Sequence, residues 1–357
     1  MTVASPTERV SLGVSVVICC HNSAKRLPET LRHLAVQQVP VGVSWEVVVI
    51  NNASTDDTSD IALRCWPNSS PAPLRIVDEP KRGTANARFR SFSEAKYPYI
   101  SFLDDDNWVG PDWIAKVVKF FASHPEASVV GGPSRPVFET DPPPWFTNIS
   151  SYYAVGIQHG HSGDITHQRG TLLWTAGMSL KRQLTLKLLE ENFRFLTCIG
   201  DDLAIQRGED TELCFAIRAI GGSLYYDPEM VVEHFMPTER LTWPKALKQV
   251  DMLGGASPIL DLYLIALDVF PYADCPEWKK SWLFHLLKTL WQIVGLTVIH
   301  PLDCQHQPEG SSVALRYETI KAQLVTLWRI RRRYHKLRNL IARSPWANIQ
   351  QKTHKTK

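Results

Sequence analysis

The sequence predicts an α/β protein, a sheet covered by helices on both faces, with a helical extension at the C-terminus. Three observations predict it. Over the first 130 residues, short apolar runs rich in β-branched residues alternate with stretches whose apolar residues recur at helical spacing. Several of those runs end directly in polar or acidic residues, as strands do at the ligand-binding edge of an open sheet. After about residue 240 the strand-like runs stop, and long apolar and then basic helical stretches follow.

The elements read in order. VSVVICC (14–20) is a buried strand, and HNSAKRLPETLRHLAVQQ after it is a helix with Leu27, Leu31, Leu34 and Ala35 on one face. WEVVVI (45–50) is the second strand. The helix after it is predicted to be capped by Ser54, with Asp57 in its first turn. LRIVDEP (74–80), the helix GTANARFRSFSEAK and the strand YPYISFLDDD (97–106) continue the alternation. Pro111 opens the helix PDWIAKVVKFFASH, and VVGGP is a further strand. Residues 133–170, with DPPPWF and several glycines, read as a loop or lid. TLLWTAGMSLKRQ is a strand entering a helix. RGEDTELCFAIRAIGG is a helix closed by Gly221, and SLYYDPEMVVEHF is two short strands. Residues 258–273 and 281–299 are apolar helical stretches, followed by the basic LVTLWRIRRRYHKLRNLIAR.

A chain of 357 residues, 44% apolar and 21% charged, can bury a large core and is not disordered. Its 24 scattered prolines exclude a coiled coil or a collagen. The net charge of +3 averages two unlike parts. Residues 1–320 hold 28 basic and 36 acidic side chains, whereas residues 321–357 hold 11 basic and none acidic. Such a block marks a surface for membrane, nucleic acid or an acidic partner. Seven cysteines without zinc-type spacing read as free thiols in a reducing compartment. The first residues carry no apolar signal core, so a cytoplasmic location is expected.

Candidate chemistry lies at the strand ends: Cys19–Asn22, Asn51–Asn52 and Asp104–Asp106. Three consecutive carboxylates repel one another unless a cation sits among them, and hard oxygen donors suit Mg²⁺ or Mn²⁺. Taken alone, such a cluster is more often a solvated turn or a helix cap. Glu209–Asp210 opens a helix, where the macrodipole favours a carboxylate; the pair reads as a cap or as a base of lowered pKa. His234 reads as a core histidine or a third metal ligand, and Arg240 as a surface charge or a diphosphate clamp.

VSVVICCHN, VVVINNASTDDT, GTANARFRSFSEA, YISFLDDDNWVGPDW, TAGMSLKR and GEDTEL, in this order over residues 13–240, resemble a family 2 glycosyltransferase of bacterial surface or exopolysaccharide type. The resemblance implies a GT-A, Rossmann-like mixed sheet. It makes residues 13–132 the nucleotide-binding part, 133–240 the acceptor side and 241–357 a basic helical extension. It implies that Cys19, His21, Asn22 and Asn51 hold the nucleoside, while Arg88 reaches the nucleotide or braces its pocket. Asp104–Asp106 stands as the DXD motif: Asp106, with Asp104 and His234, would bind Mn²⁺ or Mg²⁺, and Asp104 or Asp105 would hold ribose or sugar hydroxyls. Asp210, beside Glu209, would be the base of an inverting single displacement, with Ala176–Met178 near the acceptor. The implied partners are a nucleotide sugar and a saccharide or lipid-linked acceptor.

Departures bear on the donor. Cys19, Cys20 and His21 replace the usual Pro, Thr or Ser, and Tyr. Asn51 replaces an aspartate that contacts the base, which leaves UDP, dTDP and GDP open. RLTW at 240–243 only hints at the QxxRW motif of processive synthases, so non-processive transfer is expected. A nucleotidyltransferase of related fold and a non-catalytic binding module are the alternatives. In the tail, segment 281–299 has twelve large apolar residues in nineteen. It either packs on the core, lies in a membrane interface or spans the membrane, and the positive-inside tendency disfavours the span. An anionic membrane surface docking 281–343, on the inner face of the cell membrane, is the expected partner, and no nucleic acid is expected.

Overall fold

A computed structural model of the chain describes residues 12–70, 72–168, 172–198, 207–267, 269 and 271–348. The apolar runs become strands because both their faces are covered: Val16, Ile18, Val47 and Val49 point to one side, Val17, Val48, Ile50 and Phe102 to the other, and all are inaccessible to solvent. The elements are β1 (Gly13–Cys20), α1 (Leu27–Ala35), β2 (Ser44–Asn52), α2 (Thr58–Cys65), β3 (Leu74–Glu79), α3 (Thr84–Glu94), β4 (Tyr99–Leu103), β5 (Asn107–Val109) and α4 (Trp113–Ser123). They continue as β6 (Val129–Gly131), β7 (Ser134–Phe138), β8 (Gly163–Asp164), β9 (Ser179–Lys181), α5 (Arg182–Glu190), α6 (Glu209–Ala219), β10 (Leu224–Tyr226) and β11 (Val232–Met236). The C-terminal part holds α7 (Trp243–Ala266), α8 (Trp282–Ile299), α9 (Pro301–His306), α10 (Ser312–Ile330) and α11 (Tyr334–Arg343).

The main sheet has the order β3-β2-β1-β4-β9-β6-β10-β8. β1, β2, β3 and β4 are mutually parallel, and β9 runs antiparallel between β4 and β6, so the sheet is mixed as predicted. The chain leaves β1 for β2 on one side and returns as β4 on the other. Ligands bind at this kind of switch point, outside the carboxyl ends of the strands. A second sheet, β5-β11-β7, stands beside it.

Several local expectations need correction. The helix after β2 begins at Thr58, not Ser54. Asp56 Oδ1 accepts the Thr58 N–H at 3.1 Å, while Ser54 Oγ is turned to the neighbouring loop. Pro111 precedes α4 rather than opening it. Within the supposed loop 133–170, residues 134–138 form a strand because β11 pairs with them along their whole length. Of the helix expected at 258–273, the part up to Ala266 belongs to α7, which starts at Trp243, and the described residues from there to 273 are not helical. Gly254 and Gly255 obscured its length, and Gly254 is there for contact: a Cβ would lie 2.5 Å from the Thr319 carbonyl of α10. The basic run 324–343 is two helices, parted at Arg331–Arg333.

α7 is joined to the sheet's core rather than appended to it. Ala256, Ile259, Leu262 and Tyr263 share one buried cluster with Phe102, Phe215 and Ile217, and Trp346 stacks on Tyr263.

Candidate active site

The carboxyl ends of the central strands are level, because Cys20 pairs with Asn51 and Ile18 with Leu103. Two loops leaving this edge are laced together. Asn22 takes a left-handed backbone (φ 52°), which asparagine tolerates better than most residues. Its N–H donates to Ser54 Oγ at 3.1 Å, and its Oδ1 accepts from the Thr55 N–H at 2.8 Å. The Ser23 and Ala24 N–H groups donate to Thr58 Oγ1 and Asp56 Oδ2. His21 Nδ1 lies 2.7 Å from the Asn52 carbonyl oxygen. Cys19 is a neutral part of the floor, since burial pushes its thiol up to about 11. Asn51 Nδ2 donates at 3.0 Å to Asp78, which stands opposite it in the β2–β3 register. Asp78 is exposed and had no place among the sequence candidates; its only signal was its position at a strand end in LRIVDEP.

The three aspartates after β4 do not share one role. Asn107 Oδ1 accepts the Asp104 N–H and closes the turn. Asp105 is buried and its Oδ2 accepts from Arg26 at 2.6 Å, so this carboxylate is committed to a protein partner. Arg26, in CCHNSAKRL, was also missed by sequence. Asp104 remains partly exposed, its carboxyl raised by burial and by Asp106. Asp106 is 2% exposed, with His234 Nε2 at 3.3 Å from Oδ1 and Arg240 at 2.9 Å from Oδ2. Burial opposes its charge, but His234 and Arg240 outweigh burial and hold the carboxyl well below the ordinary range. His234 reaches Asp106 for a topological reason: β11 pairs antiparallel with β5, and His234 stands opposite Asn107, the residue after Asp106.

Arg88 is 1% exposed and lies beneath this edge. Its guanidinium donates to Thr175 Oγ1 at 3.0 Å, approaches Glu209 Oε1 at 3.9 Å and covers the Phe102 ring at 4.6 Å. Its burial and its three contacts set it within the protein rather than at the surface. Cys19, Glu209, Asp104 and Asp210 all act on its charge, so the two carboxylate groups share one electrostatic neighbourhood.

Gly208, with φ 111°, turns the chain into α6 and sets Glu209 and Asp210 in its first turn. Glu209 is buried and its Oε2 accepts from the Cys198 thiol. Asp210 is partly exposed, and its Oδ1 accepts the Thr211 N–H at 2.7 Å. The sequence predicted a lowered pKa from the helix terminus. Instead burial, and after it repulsion from Glu209, raise the carboxyl to about 6. Desolvation beside a like charge exceeds the macrodipole here. Ala176 and Met178 are buried, and the segment between them bonds to β4 through Phe102, which fixes it beside the strand that ends in Asp104–Asp106.

Among the described residues, no group of three His, Cys, Asp or Glu side chains converges into a ready-made metal site. The donors fit a divalent ion differently. Asp106 is held ionised, and its Oδ2, faced by Arg240, makes no hydrogen bond although buried; neither does His234 Nδ1. Mg²⁺-type ions are commonly held by one or two carboxylates, with substrate phosphates completing the shell.

Residues 15–181 match the family model described as Glycosyl transferase family 2. By that match, residues 15–181 form a domain of the family 2 glycosyltransferase type. The succinoglycan biosynthesis protein ExoM of Rhizobium meliloti (strain 1021) is 25% identical over 240 residues, 67% of this chain and 72% of that protein. The poly-beta-1,6-N-acetyl-D-glucosamine synthase of Staphylococcus epidermidis is 28% identical over 124 residues, 34% of this chain and only 29% of that protein. In three dimensions, S. aureus TarS 1-349 in complex with UDP-GlcNAc superposes with a TM-score of 0.51 at 14% identity, covering 97% of this chain and 93% of that one. The mannosyltransferase PcManGT of Pyrobaculum calidifontis, in complex with GDP-Man and Mn²⁺, gives 0.50 at 17% identity, covering 92% and 86%. These likenesses place the glycosyltransferase on the GT-A fold, with C-terminal helices, and set nucleotidyl transfer aside.

Proposed function

We propose that this glycosyltransferase is inverting, metal-dependent and non-processive, and moves a hexosyl unit from a nucleoside-diphosphate donor to a hydroxyl of a saccharide or lipid-linked acceptor. The observation that carries the reading is Asp210: a partly exposed carboxyl, raised to about 6, that shares the field of Arg88 with Asp104. A carboxylate titrating near neutrality at the edge of a donor site is suited to general-base work.

The laced loops Cys19–Asn22 and Asn51, with Asp78 beside it, would hold the nucleoside. Asp104, the accessible member of its cluster, would take ribose or sugar hydroxyls. Asp106 and His234 would hold a divalent ion together with the diphosphate, with Arg240 alongside. Such an ion neutralises charge on the departing diphosphate. Asp210 accepts the proton of the acceptor hydroxyl as its oxygen bonds to the anomeric carbon from the side opposite the breaking bond to phosphate oxygen. Desolvation, and after it repulsion from Glu209, keeps Asp210 basic. No covalent nucleophile is needed.

ExoM, by its name a succinoglycan biosynthesis protein, supports assigning this activity to polysaccharide biosynthesis. We assign catalysis to residues 1–240 and localisation to 241–357, with the enzyme peripheral on the cytoplasmic face of the membrane. The test is a thermal-shift screen of UDP-, dTDP- and GDP-sugars with Mn²⁺, followed by transfer assays on the donor found. Asp210→Asn should keep donor binding and lose transfer. Full turnover in excess EDTA, or by the Asp210→Asn protein, would sink the reading.

A further inference from the structure

Helix α8 is amphipathic inside out. At about 100° per residue, Leu283, Leu287, Leu290, Trp291, Val294 and Val298 fall within roughly 100° of arc. All are exposed, Trp291 by 79% and Val298 by 74%. The opposite face, which packs on α10, carries His285, Thr289 and Leu296, all buried. Water selects the reverse arrangement, with the polar side chains outward. Ile299, the last residue of α8, and Leu302 in α9 continue the exposed apolar surface. A contiguous patch of this kind marks an interaction surface rather than ordinary surface scatter.

One end of the stripe is cationic. Trp282 Nε1 donates to the Leu327 carbonyl at 2.8 Å, and the Tyr334 hydroxyl donates to the Lys280 carbonyl at 3.3 Å. These bonds fix the first turn of α8 against the junction of α10 and α11, where Arg331, Arg332, Arg333 and Lys336 are exposed. The Arg331 guanidinium lies 4.5 Å above the exposed Trp328 ring, and the Lys279 ammonium 5.4 Å from the exposed Trp278 ring. Residues 319–357 contain no acidic side chain to offset this charge; Lys352, Lys355 and Lys357 lie outside the described residues.

An apolar stripe ending in a net-cationic cluster, in which Glu277 answers only Arg338 and Lys280, matches one partner on both counts. An anionic bilayer takes apolar side chains into its headgroup–acyl boundary and cations onto its phosphates. A membrane span fits less well, since α8 is held along its length by α10, which carries Arg316, Glu318 and Lys321. We propose that α8 lies in the plane of an anionic membrane, its Leu283–Val298 stripe buried in the interface and the Arg331–Lys336 segment on lipid phosphates. This deepens the peripheral placement proposed above, and it stands or falls independently of the chemistry at Asp210.

The test is co-sedimentation of the full-length protein with phosphatidylcholine vesicles, with and without roughly equal phosphatidylglycerol. Binding should be strong and salt-sensitive on the anionic vesicles and weak on the neutral ones. Trp291→Gln with Val298→Gln should weaken it about a hundredfold, since two large apolar side chains leave the interface. Arg331→Gln with Arg332→Gln should remove most of the salt dependence. All variants should retain the parent's melting temperature and its transfer to a soluble acceptor. Binding that ignores both pairs of substitutions overturns the proposal. So does a stripe variant that turns an oligomer into a monomer while vesicle binding persists, because a second copy then covers α8. Membrane-bound protein that resists alkaline carbonate extraction overturns it in favour of a span. If vesicle binding behaves as expected but no donor is turned over, the docking stands and the proposed function falls.

Discussion

Replacing Asp210 by asparagine should stabilise the protein and stop it transferring sugar. The carboxyl is raised from 3.8 to about 6 by burial and by Glu209, so the folded chain binds this proton more tightly than the unfolded chain. The group's contribution to stability is therefore whole below about pH 3.8 and is lost as the pH rises through about 6. About two units at 1.36 kcal/mol each puts the penalty for holding the charge at neutral pH on the order of 2–3 kcal/mol. Asparagine has nearly the same shape and no charge, and its Oδ1 can still accept the Thr211 N–H. Melts of the metal-free, nucleotide-free proteins should show the variant a few degrees higher at about pH 8, with the difference shrinking toward about pH 5. Turnover should meanwhile fall by roughly 10²–10⁴. Wild-type activity should lose about tenfold per pH unit below 6, as the base is protonated. A variant that melts lower than wild type at neutral pH, or a pH–rate profile flat between about 5 and 7, would refute the assignment of a desolvated base with a raised pKa.

Other variants probe the surroundings of that carboxyl. Asp106→Ala should abolish turnover and the extra thermal stabilisation that Mn²⁺ adds to bound nucleotide, read by scanning fluorimetry. Arg88→Met leaves Glu209 and Asp104 without their buried counter-charge; it should cost about 3–5 kcal/mol by urea unfolding. It should also move the acid limb of activity above 6, because Arg88 lowers the Asp210 carboxyl. Glu212, which burial raises to about 7, accepts from the Leu196 and Thr197 N–H groups and from the Tyr263 hydroxyl. Glu212→Ala should cost about 3 kcal/mol or more in thermal unfolding near pH 6, since three buried donors lose their acceptor.

The strand ends were legible in sequence because a buried parallel strand is written locally, as a short β-branched run closed by polar residues. Cys19–Asn22, Asn51 and Asp104–Asp106 therefore fell where the sheet edge lies. The hidden parts depend on partners distant in the chain. Arg26 answers Asp105 from 79 residues away, and His234 reaches Asp106 only because β11 returns beside β5. Strand 134–138 was unreadable for the same reason: its stability comes from β11, not from its own pattern.

Sequence alone determined the alternation that makes the sheet, the order of motifs along its edge, and the division of charge between an acidic body and a basic tail. These are properties of neighbours, fixed by backbone periodicity and by which residues tolerate a turn. Tertiary structure decided which of three adjacent aspartates is neutralised by protein, which stays open and which is held ionised beside His234. It set Arg88 beneath the site and raised Asp210 where the helix terminus alone would have lowered it. It also turned the apolar face of α8 outward. Each of these depends on burial and on charges brought together by folding, and electrostatic energies follow distance and desolvation in space rather than separation along the chain.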